Sequence, residues 1–157
     1  MPAAPRPTEG VHSVLVLEDG DAGTDPEQPR VEAWSALRRL VAEALILQDS
    51  AEELLIELRD HRDLGAIAPR CGRLMSRFVA LDRELPASTD PAVERYCSTL
   101  RTIFDHHVLL LNSARAMLAV EWRSEKLTAQ LDRLDGLGEP ARRLEAVRAD
   151  ILRVSSR

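Results

Sequence analysis

Glu57 and His61 stand four residues apart, the spacing that places two side chains on one helix face. Asp105, His106 and His107 form a second group further along the chain. Carboxylates and imidazoles that meet across helices can bind paired metal ions, and bundles built for this use a Glu-x-x-His spacing on facing helices. Here the spacing is Glu-x-x-x-His and it occurs once. His61 lies in Arg59-Asp-His-Arg-Asp63, the composition of a solvated helix end. His107 falls on an apolar stripe with His106 beside it, where a histidine is more often a hydrogen-bonded core or boundary residue than a ligand. His12 has no companion ligand. The expectation is therefore no metal and no cofactor.

Nucleophilic chemistry has less support. Cys71 and Cys97 each sit in a helical pattern, without a glycine-rich elbow or an oxyanion-hole signal. The serines have no His and Asp partners in a recognisable context, and no glycine-rich phosphate loop is present. The chain reads as non-enzymatic. Arg142, Arg143, Arg148 and Arg153 make the last helical segment locally basic, but Glu139, Glu145 and Asp150 interleave with them and give a solvated face.

The run Val108-Leu-Leu-Leu-Asn-Ser-Ala-Arg-Ala-Met-Leu118, leading on to Trp122, is apolar on more sides than one helical seam needs, and it holds the only asparagine, Asn112. Two readings stand open. Either other helices enclose the run entirely, or it forms a groove or exposed stripe that receives a partner's amphipathic helix through Leu111, Asn112, Ala114, Leu118 and Trp122.

The elements that position these residues follow from periodicity. Residues 1–30 carry five of nine prolines, three of seven glycines, and six acids against Arg6 and Arg30, a net charge of −4. They read as a disordered acidic tail, in which Val11 to Leu17 is too short for a core; the alternative is a short strand or anchoring peptide that docks on a partner or on the bundle. A first helix is expected from near Val31 to about Arg62. Its stripe runs from Trp34 through Leu37, Leu40, Val41 and Ala44 to Leu58, with Gln48 as an edge position and Gly65 as the C-terminal cap. This stripe is wider than a two-stranded coiled coil requires, which argues for a bundle. A shorter helix is expected from around Pro69 to Leu85, stopped by Pro86.

Asp90 and Pro91 form a helix-start signal, and no glycine or proline follows until Gly136. Unbroken, that rod would run 44 residues from Pro91 to Leu134, about 66 Å at about 1.5 Å per residue. Charges crowd its second half after Leu118. Gly136 and Gly138 end it, and Pro140 opens a last short helix with Leu144, Val147, Ile151 and Val154 on its stripe. The fold expected is all-α: an antiparallel bundle of three main helices and a short C-terminal one, in a single domain over residues 31–154.

Composition agrees. Hydrophobic residues make up 45% of the 157, charged residues 30% and aromatics 3%, and Leu, Ala, Arg and Glu favour helices over sheets. The net charge of −5 lies mostly in the first 30 residues, so the near-neutral remainder offers no electrostatic footprint for nucleic acid. No stretch approaches the roughly 18 apolar residues of a membrane span. MPAAPRPTEG lacks the pattern of a signal peptide, so the cytoplasm is the expected compartment and the two thiols are expected buried and reduced.

With a long Leu-rich first helix, a shorter middle one and a long last one, Trp34 to Leu134 resembles the FlgN-type flagellar export chaperones. In that family an apolar run surrounds an asparagine on the last helix, and Leu109-Leu-Leu-Leu-Asn112 followed by Ala116-Met-Leu118 is the counterpart here. The resemblance implies a cytoplasmic chaperone that holds the terminal helices of hook-associated proteins before export, through Leu111, Ala114, Leu118 and Trp122. The chain differs from the family in its fourth helix and its N-terminal tail. The alternatives are a self-associating structural protein or homodimer, a regulatory helical protein, and a metal-binding bundle.

Overall fold

The computed structural model describes residues 27–60, 62–118, 129 and 136–154. Among these the regular structure is entirely helical: α1 (Gln28–Arg59), α2 (Leu64–Arg83), α3 (Pro91–Met117) and α4 (Glu139–Val154). Most of the stretch read as a tail, and the second half of the expected rod from residue 119 to Leu134 apart from residue 129, lie outside the described residues.

Helix α1 begins at Gln28, three residues inside the stretch assigned to the tail, with Pro29 in its first turn. Proline is tolerated there because a first-turn amide has no intrahelical acceptor to lose. The helix ends at Arg59, short of the expected Arg62. The Asp60 amide donates to the Ile56 carbonyl at 2.9 Å and the Arg62 amide to Glu57 at 2.8 Å.

The residue that turns the chain is not Gly65 but Asp63, which takes the left-handed conformation at φ 39°. Aspartate is one of the few side chains that visit this region readily. Gly65 instead occupies the second position of α2, and α2 starts five residues before Pro69, which lies inside it. Pro69 forfeits one amide bond to the carbonyl of Gly65. Complete burial of Ile67 and Cys71 on either side holds those turns helical despite it.

Helix α3 starts as the Asp90-Pro91 pair predicts. The Ala92 amide donates to Asp90 Oδ1 at 2.8 Å. That bond, with Arg30 at 3.0 Å, holds the Asp90 carboxyl below the usual carboxylate range.

One hydrophobic core joins all four helices. Leu37, Leu40, Leu54 and Leu58 of α1 are fully enclosed with Ile67, Phe78 and Leu81 of α2 and Leu100, Ile103, Phe104 and Leu111 of α3. From α4, Leu144, Val147 and Ile151 are buried as their spacing implies, whereas Val154, expected on the same stripe, is exposed. It lies in the final turn, beyond the cover of α1 and α3, the two helices that α4 packs against.

Cross-helix pairs fix the relative directions. Along α1 and α2, Arg39 meets Glu84 at 3.2 Å, Glu43 meets Arg77 and Glu57 meets Arg70, so these helices run in opposite directions. Along α1 and α3, Trp34 meets Tyr96 edge-on at 5.7 Å and Gln48 meets His107 at 3.2 Å, so these run in the same direction. Phe78 packs on Phe104 at 5.9 Å between α2 and α3.

Candidate functional site

His107 is completely enclosed on the inner face of α3. Its Nδ1–H donates to the Ile103 carbonyl one turn earlier at 2.8 Å, and Nε2 faces the Gln48 amide of α1. The ring lies 4.8 Å from that of Phe78 on α2. Burial pushes its pKa down and the neighbouring His106 adds to this, while the bond to Ile103 opposes it. Gln48, expected at an edge, is 2% exposed. A glutamine is rarely buried without a partner, and here the imidazole supplies one.

His106 and Asp105 are exposed on other faces of α3, so the three neighbours do not converge. His61 lies outside the described residues. Among the described residues no group of three or more His, Cys, Asp or Glu is placed to hold a metal ion. Cys71 and Cys97 are both buried free thiols, and burial raises the pKa of each above the ordinary thiol value. A raised pKa leaves less thiolate, the opposite of an activated nucleophile. Cys97 Sγ donates weakly to the Pro86 carbonyl at 3.5 Å. On α4, Arg142 pairs with Glu139 and Arg153 with Asp150 along the helix surface.

The proposed stripe of α3 divides into a closed and an open part. Leu111 and Ala114 point into the core. Asn112 is exposed, and its Oδ1 accepts from Arg115 Nη2 at 3.2 Å. Leu118 is half-buried. Trp122 lies outside the described residues. Leu109 is 60% exposed on the outer face.

Where α3 passes the start of α2, Asn112, Arg115, Ala116 and Leu118 line an open depression of about 460 Å³ together with Ala68. Its lining combines the small Ala68 and Ala116 with the apolar Leu118 and the polar Asn112 and Arg115. Sequence reasoning missed Ala68 because the helix that carries it was expected to begin one residue later. Ala116 was seen only as part of the apolar run.

No protein-family model, no curated protein and no solved structure matches this chain.

A second surface lies between α1 and α4, where Leu45, Asp49, Glu145, Arg148, Ala149 and Leu152 surround a depression of about 440 Å³. Asp49 and Glu145 crowd Glu52 there and, with partial burial as the larger cause, raise its pKa. Among the described residues no helix is long and apolar enough to cross a membrane.

Proposed function

We propose that this chain is a non-enzymatic adaptor or chaperone, an antiparallel helical bundle that receives an amphipathic helix of a protein partner at the C-terminal end of α3. The observation that carries this reading is the depression lined by Ala68, Asn112, Arg115, Ala116 and Leu118. Ala68 and Ala116 let a docking helix approach closely, and Leu118 offers apolar surface to an anchoring side chain. Arg115 and Asn112 offer donors to carboxylates on the partner's polar face. Binding would cover apolar surface that the partner cannot yet bury in its own assembly. The resemblance of Trp34 to Leu134 to the FlgN-type chaperones supports a terminal helix of a hook-associated protein as the occupant, held in the cytoplasm before export.

Affinity capture from the native cell extract tests this, with tagged full-length protein and an Ala116→Glu variant compared side by side. Ala116 is exposed, so the variant keeps the core intact. The expected result is an exported filament protein held by the wild type and lost by the variant. Identical capture by both would overturn the assignment of this surface.

Self-association is favoured by a different observation, the exposed apolar side chains of Leu152, which lines the α1–α4 depression, and of Ile46 on α1, 66% exposed. Mass measured across a wide concentration range tests it, and a single-chain mass throughout would reject it.

A further inference from the structure

Gln48 and His107 are the buried polar residues of the described core, and they meet across the α1–α3 seam. The ring's Nδ1–H is committed to the Ile103 carbonyl, so the character of Nε2 changes with protonation. A neutral ring needs a donor opposite Nε2, which the Gln48 amide nitrogen supplies once the amide turns over. An imidazolium needs an acceptor there, which the Gln48 amide oxygen supplies at 3.2 Å. Half a turn of one amide interchanges the two arrangements. The hydrogen bonds are thus met in either state, and only the cost of burying the charge distinguishes them.

We propose that Gln48 and His107 form a proton-responsive latch between α1 and α3, tight with a neutral ring and weakened when the ring takes up a proton. Among the described residues the surroundings supply no compensating charge. Helix α1 presents the uncharged Gln48, and its carboxylates at this level, Asp49 and Glu52, belong to the surface shared with α4. Helix α2 presents the Phe78 ring. On α3 the adjacent His106 acts against protonation. The charged groups of α4 at this level, Glu145 and Arg148, line the outer depression.

The folded chain therefore binds the proton less readily than the unfolded one. The latch is fully tight above the unfolded histidine value of about 6.5, and stability falls as pH drops below it toward the depressed folded value. Leu111 and Ala114 continue the buried face of His107 at steps of four and three.

The test is urea unfolding of the full-length chain between pH 7.5 and 5, wild type against the double variant Gln48→Leu, His107→Leu, which keeps every other histidine. Relative to the double variant, the wild-type folding equilibrium constant should fall by up to about tenfold per pH unit below about pH 6.5. Parallel profiles for the two proteins would overturn the latch. A ring-nitrogen NMR titration of the wild type gives an independent reading should the double variant not fold. The His107 ring should stay neutral with the proton on Nδ1 well below pH 6.5, and an ordinary midpoint near 6.5 would equally overturn it.

Discussion

Helix α1 is aligned against α2 by charges at the rim and against α3 by a polar pair at the centre of the core. Between Arg39 and Arg59, α1 carries Glu43, Asp49, Glu52, Glu53 and Glu57 with no base, and the facing stretch of α2 carries Arg70, Arg73 and Arg77 with no acid before Asp82. Glu43–Arg77 and Glu57–Arg70 form only when the two helices run in opposite directions at one register. These side chains are partly exposed, so each pair contributes about 0.2–1 kcal/mol and specifies more than it stabilises. The Gln48–His107 pair is fully enclosed, and losing one partner leaves a buried polar group unsatisfied at about 1–3 kcal/mol. Three weak pairs at the rim fix one seam, and in the other a pair with a high penalty for error adds to the Trp34–Tyr96 contact.

The core that both seams share should show the largest effect. Leu111→Asp places a carboxylate among enclosed apolar side chains, and the expected loss exceeds about 4 kcal/mol, read as an unfolded far-ultraviolet spectrum at 25 °C. The central pair comes next. His107→Leu alone should cost about 1–3 kcal/mol by urea denaturation at pH 7.5, because Gln48 is orphaned. Adding Gln48→Leu should recover much of that loss, and additive losses would show that the two residues are not coupled.

The rim should respond more weakly. Glu57→Arg should cost no more than about 1 kcal/mol, and Arg70→Glu in the same chain should restore most of it. A reversal that fails to restore would mean that the pairs do not set the α1–α2 register. The smallest change expected is a gain. Gly72 lies inside α2 with nothing within 4 Å of an added Cβ, so Gly72→Ala should raise stability by about 0.5–1 kcal/mol, seen as a higher thermal midpoint.

What was legible in the sequence followed from periodicity. The α1 stripe, the Asp90-Pro91 start and the inward face of Leu144, Val147 and Ile151 are local patterns, and the structure has them where the spacing puts them. The misplaced features turned on tertiary contact. Pro69 breaks a helix by local rules, but burial of Ile67 and Cys71 outweighs its missing hydrogen bond. Gly65 is the usual choice for a left-handed turn, yet Asp63 makes it, because the chain must re-enter a helix at Leu64. Gln48 looked like an edge residue because its partner lies 59 positions away on another helix. The opposed charge runs of α1 and α2 were readable in principle, since an acid-only stretch and an arginine-only stretch face each other across a short connection. The depression at the end of α3 was not, because Ala68 reaches it only through the packing of α2 on α3.

A partner helix docked at the open end of α3, as proposed, leaves the sealed middle of that helix untouched. Hydrogen exchange on the full-length chain, free and with its captured partner, tests this most directly. Added protection is expected across Leu64–Gly72 and Asn112–Leu118, with little change at Leu100–His107. Protection appearing at Leu45–Asp49 and Ala149–Leu152 instead, with none at the end of α3, would rule out docking there and assign binding to the α1–α4 surface.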